Sequence, residues 1–157
     1  MSLIIGSLII ALSALAIAVE LVAEVEASVR SVSALRSALE HTKNMIDCYS
    51  LPADEILHRL DSSVLEECGY AKGDMPKSFL DFLEGSDIKD AEGRDIFFAF
   101  AKDFGKSFRT DELSRCSLYL ERMRAREQKV MKEAQKKKRV IYTVAVCSAL
   151  GVIILLI

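Results

Sequence analysis

The 157-residue chain has no tryptophan, two prolines (Pro52 and Pro76), seven glycines and two histidines. So few breakers leave little room for the tight turns of an all-β fold. Strand-like alternation is nearly absent, and the pattern is helical almost throughout. The four cysteines, Cys48, Cys68, Cys116 and Cys147, form no CxxC pair. Their spacings fit neither a zinc site nor a disulfide framework, so they read as free thiols in a reducing compartment. His41 and His58 have no spaced partner, so no metal site and no cofactor are expected. His41, between Glu40 and Thr42, reads as a surface residue. Charge is missing from two places as well: Leu3–Val19 and Val140–Ile157 carry none, and every charged side chain lies between them.

Those two runs are 17 and 18 residues long. A bilayer core takes roughly 20 apolar helical residues to cross, and about 17 at the least. The expected fold class is therefore all-α: an antiparallel helical bundle between two transmembrane helices that continue into long cytoplasmic helices. Transmembrane helix 1 is placed at residues 1–23, the cytoplasmic bundle at 24–134 and transmembrane helix 2 at 135–157. The first run has small-x-small strings, Ala14-Leu15-Ala16 and Ala16-Ile17-Ala18, but only Met1 and Ser2 precede it. A cleaved signal needs a basic lead, so the run reads as a retained span. With no charge inside them, the spans form no ion path by themselves. Small residues at Ser7, Ala11, Ala14 and Ala18, and at Ala145 and Ala149, or Cys147 and Gly151, are spaced for close helix packing in lipid.

The average charge of −2 conceals a division. Residues 1–121 carry 12 basic and 21 acidic side chains, net −9; residues 122–139 carry 9 basic and 2 acidic, net +7. The basic block abuts the second apolar run. Lys and Arg collect on the cytoplasmic side of spans, where anionic lipid attracts them. Lys132, Lys136, Lys137, Lys138 and Arg139 form a collar for anionic headgroups rather than a nucleic-acid patch. The middle domain is then cytoplasmic and both termini lie outside.

Val25, Val29, Val32, Leu35, Leu39, Ile46 and Tyr49 fall on one helical face, and no breaker separates them from the first run. One helix of about 45 residues, roughly 70 Å long, is predicted. Ser50-Leu51-Pro52 ends it. A second helix runs from Pro52 to about Glu67, with Ile56, Leu57, Leu60 and Val64 inward and Gly69 just past its end. Asp74 is the expected cap of a third, short helix through Leu83. A fourth covers about Ala91–Lys106, and its phenylalanines mark the core. A fifth, capped by Thr110, runs without a breaker through the second span and lies antiparallel to the first.

Chemistry finds few footholds. Gly105-Lys106-Ser107 imitates the end of a phosphate-binding loop, but the first glycine of that motif would stand at position 100, which is Phe100. The string reads as a helix terminus capped by Gly105. Carboxylate pairs such as Asp54-Glu55 and Glu66-Glu67 read as solvated faces, and no nucleophile–base constellation is apparent. The chain is expected not to be an enzyme.

The layout has a counterpart. LRSALE (Leu35–Glu40), SLPADEIL (Ser50–Leu57), FAKDFGKSFRTDELSRC (Phe100–Cys116) and a terminal GVIILLI, in this order between two spans, resemble the stage III sporulation protein AB family of endospore-forming bacteria. Phe108-Arg109 stand where that family leads one to expect Leu-Gly, and a glutamine expected near Arg115 or Cys116 is replaced. The resemblance implies a non-catalytic relative of the type II secretion platform, part of a channel between mother cell and forespore. Its partners would be a secretion-type ATPase and the other membrane proteins of the stage III complex, and its seat the mother-cell side of the outer forespore membrane. The distal acidic residues Asp54, Glu55, Asp87, Asp90 and Glu92 are the expected docking side. The competing reading is a two-span adaptor or signalling protein unrelated to secretion.

Overall fold

Two helices of 48 residues each, α1 (Ser2–Tyr49) and α6 (Arg109–Leu156), carry most of the chain. Between them lie α2 (Ala53–His58), α3 (Ser62–Glu67), α4 (Phe79–Gly85) and α5 (Ala91–Asp103). The structure, a computed structural model, describes residues 2–49, 53–71, 74–106 and 108–156, and no strand occurs among them. The class is all-α, as the scarcity of breakers implies. The expected break at Ser50-Leu51-Pro52 lies outside the described residues. Among the described residues, no helix is long and apolar enough to cross a membrane. Residues 3–5, 7–11, 153 and 155–157 of the two apolar runs lie outside the described side chains.

Local chemistry sets the boundaries, in three places against expectation. The single helix predicted from Pro52 to Glu67 is two. Arg59 and Leu60 close α2 with i→i−3 bonds to Ile56 O and Leu57 O (3.2 and 3.1 Å). Asp61 then takes extended backbone, and its side chain accepts the Ser63 N–H at 3.0 Å to start α3. A short carboxylate bonding its own backbone offers the chain an alternative to continued helix. Both pieces still bury the same apolar set, Ile56, Leu57, Leu60 and Val64. The cap of α4 is Ser78, not Asp74: the Asp81 N–H donates to Ser78 Oγ, and Asp81 Oδ2 accepts the Lys77 N–H, each at 3.0 Å. Reciprocal bonding of this kind satisfies two orphan amides at once. Thr110 lies inside α6, whose first bonds run from Asp111 and Glu112 N–H to Phe108 O.

The glycines read as caps behave as caps. Gly69 has φ +66°, and the Gly69 and Tyr70 N–H groups donate back to Glu66 O and Leu65 O. Gly105 has φ +79° directly after α5. Left-handed backbone of this kind favours a residue without Cβ.

The chain divides into two compact units. In the unit Ala27–Val130, Val32, Leu35, Leu39 and Ile46 of α1 join the inward faces of the short helices and Cys116, Leu120 and Met123 of α6. Phe97 and Phe100 stand at its centre. Phe79 meets both edge-on, with centroids at 5.8 and 5.5 Å, and Tyr119 meets Phe100 at 5.9 Å. The unit Met1–Glu26 with Met131–Ile157 is simpler. Ala18, Val22 and Ala134 are buried, and Ala14, Ala18 and Ala145 line one apolar groove. Ser7 and Ala11 of the small-residue series lie outside the described side chains.

Candidate functional site

The acidic residues singled out by sequence do not share one fate. Asp90 takes extended backbone at the head of α5, where its Oδ2 accepts the Gly93 N–H at 2.7 Å. The Arg126 guanidinium, reaching across from α6, donates through Nε to the same oxygen at 2.9 Å and through Nη2 to Oδ1. Asp90 is 6% exposed and the Arg126 side chain 12%. Burial by itself would raise the Asp90 carboxyl. The hydrogen bonds and charge of Arg126, with the Gly93 N–H, outweigh it and hold the group below its ordinary value. Asp90 is therefore bound into the fold, not offered to a partner.

Gly93 makes that node possible. A Cβ there would lie 2.8 Å from Asp90 Oδ2 and 3.2 Å from Val32 Cγ2 of α1. The remaining acids face outward. Glu92 pairs with Arg126 and, at 3.6 Å, with Lys129. Asp87 pairs with Lys89, and Glu55 with Arg59 one helical turn on, each at 2.6 Å. The fold thus gathers Asp87, Asp90 and Glu92 into the approach and first turn of α5. Glu55 sits on α2, and the Asp54 side chain lies outside the described residues.

The basic collar also divides. Lys132, Lys136, Lys137 and Arg139 are exposed, and steps of four and three put Lys132, Lys136 and Arg139 on one face of α6. Lys138 is half-buried and paired with Glu26 of α1. Within the Ala27–Val130 unit, Glu40 of α1 joins Arg36 on its own helix and Arg124 of α6 (2.6 Å). Arg36 Nε lies 2.9 Å from Glu127 Oε2, off the line of a good hydrogen bond. The Arg124 hydrogen bond foremost, with Arg36, holds the Glu40 carboxyl below its ordinary value.

Sequence reasoning missed three arginines. Arg109 donates through Nε to Ile46 O at 3.2 Å and through Nη2 to Asp47 O, closing the end of α1. Arg115 Nη1 donates to Asp103 O at 2.8 Å, closing the end of α5. Arg126 holds Asp90. Arg109 and Arg115 stand in the first two turns of α6. A signal was present: cations in the first turns of a helix oppose its dipole, so another use was to be sought for them. His41 is half-buried rather than superficial, and its Nε2 meets no hydrogen-bond partner among the described residues.

Among the described residues the Gly105-Lys106-Ser107 string forms no phosphate loop. Gly105 belongs to the end of α5, Lys106 is exposed, and Ser107 lies outside the described residues. No cluster of His, Cys, Asp and Glu suited to a metal occurs among the described residues. All four cysteines are free, Cys48 and Cys147 exposed, Cys68 and Cys116 buried. Burial, aided by the Glu67 carboxylate, pushes the Cys68 thiol up to about 12. Burial, with Glu112, does the same to Cys116. The thiolate is the reactive form. Iodoacetamide at neutral pH is accordingly expected to label Cys48 in the folded chain and to reach Cys68 and Cys116 only after denaturation. Peptide mass spectrometry reads this directly, and native labelling of Cys68 at the Cys48 rate would contradict the packing.

A family model described as stage III sporulation protein AB matches residues 3–157. No curated protein and no solved structure matches the chain.

Proposed function

Since the chain belongs to the stage III sporulation protein AB family and has a stage III sporulation role, we propose that it is a non-catalytic membrane scaffold of a secretion-like channel between mother cell and forespore. The carrying observation is the arrangement of charge along the sequence: a +7 block at residues 122–139 directly precedes an 18-residue run with no charge. That order suits a span entered from the cytoplasmic side. The 17 uncharged residues Leu3–Val19 suit a second span, which leaves the helical unit on the mother-cell side of the outer forespore membrane. Each exposed collar residue contributes on the order of 1 kcal/mol at an anionic surface.

In this reading the helical unit docks a secretion-type ATPase and seats the channel's other membrane proteins. Glu55, Asp87 and Glu92, with Asp54, supply the acidic contacts. Asp90 positions the segment that presents Asp87 and Glu92. The family resemblance supports the partner, and the outward placement of Glu55, Asp87 and Glu92 supports the surface.

Retention of the ATPase on the detergent-extracted full chain tests the reading. Glu55→Lys combined with Asp87→Lys, both exposed or half-buried and outside the Asp90 node, is expected to lower retention at low salt about tenfold, since surface charge governs encounter. Helicity by circular dichroism should not change. Undiminished retention by a folded double variant would remove the acidic surface from the interface.

A further inference from the structure

The outward face of α5 does something that neither the core nor the acidic residues require. Gly93, Phe97 and Phe100 are its buried side. Ala91, Arg94, Asp95, Phe98 and Lys102 recur at steps of three, one, three and four on the opposite, exposed side. Phe98 is 51% exposed there. A single exposed aromatic is ordinary. This one is part of a cleft. Ile88, Lys89, Ala91, Arg94, Asp95 and Phe98 enclose a volume of about 390 Å³, open to solvent, between the segment leading into α5 and the helix itself. That volume falls at the small end of the roughly 300–1,000 Å³ of ligand pockets.

We propose that this cleft is a docking groove for a partner-protein segment that presents one large apolar side chain beside a carboxylate. Charge argues for the carboxylate. The cations lining the cleft are Lys89 and Arg94, and the acid lining it is Asp95. Lys89 already holds Asp87, whereas Arg94 pairs with no described carboxylate. Arg36, Arg59, Arg109, Arg115, Arg124 and Arg126 all have work within the fold. A guanidinium fork left open next to an apolar surface matches a carboxylate bidentately. Arg94 and Phe98 are four residues apart, hence about 6 Å apart along one helix face. A side chain resting on Phe98 and Ile88 brings an acidic neighbour within reach of Arg94.

The walls are fixed in advance. The Asp90–Gly93 bond and the Arg126 pair hold one end of the entering segment, and Ser86 Oγ donates to Phe82 O at 2.6 Å at the other. A groove that is already shaped loses little order when filled. Lys89 of the groove pairs with Asp87, but the Phe98 and Arg94 variants spare Glu55, Asp87 and Glu92, so failure of the groove and failure of the acidic contacts are read separately.

The test uses the full chain in detergent micelles and two fluorescein-labelled pools of 12-residue peptides. Both pools centre on Leu, Ile, Phe or Met; one flanks it with Glu, the other with Lys. Fluorescence anisotropy should show binding of the Glu pool, weakened about tenfold or more by Phe98→Ser and by Arg94→Glu. Arg94→Glu should instead favour the Lys pool. Both positions are exposed, so helicity should be unaffected. Equal binding of the two pools by the unaltered chain, unchanged affinity in Phe98→Ser, or no binding of the Glu pool at millimolar peptide would each overturn the proposal.

Discussion

Phe100→Ala is expected to lower the stability of the Ala27–Val130 unit by about 3–5 kcal/mol, roughly a fifth or more of what a domain of this size commonly has. Phe100 has no exposed surface and touches Phe79, Phe97, Phe104 and Tyr119 in edge or tilted geometry, with centroids between 5.1 and 5.9 Å. Deleting the ring removes its transfer free energy and its aromatic pairs. It also leaves a hole among side chains from three helices that cannot all move in together. Phe108 supplies the internal control. It is eight residues away and 87% exposed, so Phe108→Ala should change stability by no more than about 0.5 kcal/mol. Chemical denaturation of the full chain in detergent, followed by circular dichroism, measures both. A Phe100→Ala loss below about 1 kcal/mol would mean that this cluster is not the centre of the unit.

Asp90→Ala should cost a similar amount, about 3–5 kcal/mol, for a different reason. It takes from the largely buried Arg126 guanidinium its bidentate partner, leaving it the half-exposed Glu92, and leaves the Gly93 N–H without its acceptor. Much of that loss belongs to the buried cation deprived of its bidentate partner. Arg126→Met added to Asp90→Ala should therefore recover part of it, even though the double variant has lost more of the native contacts. Gly93→Val should injure the same node sterically, because its Cβ has Asp90 Oδ2 at 2.8 Å and Val32 at 3.2 Å.

The pair also gives acid sensitivity a definite direction. The folded-state Asp90 carboxyl lies below its ordinary value, held there by Arg126 and Gly93 against the opposing effect of burial. A depressed carboxyl stabilises the fold fully above its unfolded value, about 3.9, and loses that contribution as pH falls through the folded value. The unfolding midpoint should thus be level for this group from neutrality to about pH 5 and drop below about pH 4. Asp90→Asn retains an acceptor for Gly93 but has no charge to lose, so its curve should fall less steeply. Parallel acid profiles for the two proteins would show that Asp90 does not contribute in this way.

Much of this was legible in the chain. The 3.6-residue recurrence of Val32, Leu35, Leu39 and Ile46, uninterrupted by glycine or proline, implied the long α1, and those four residues are buried. The phenylalanines of Ile96–Phe104 implied the core, and Gly69 and Gly105 implied helix ends with left-handed backbone. Each of these depends on residues a few positions apart, whose chemistry acts along one helix. The failures have the opposite character or turn on a close contest. Asp61 and Ser78 won their caps over continued helix and over Asp74 by bonds that neighbouring sequence also permitted elsewhere. Asp90 read as a surface acid because its partner, Arg126, is 36 residues away. Arg109 closes α1 through carbonyls more than 60 residues earlier.

Composition and order by themselves determined the all-helical class, the two uncharged terminal runs, the basic block beside the second, and the apolar faces of each helix, because these follow from periodicity and the absence of breakers. Tertiary structure alone decided which charges stay available to a partner. Electrostatic energy depends on distance in space and on water excluded, so Asp90 and Lys138 became part of the fold while Glu92, Arg94 and Lys136 remained at its surface.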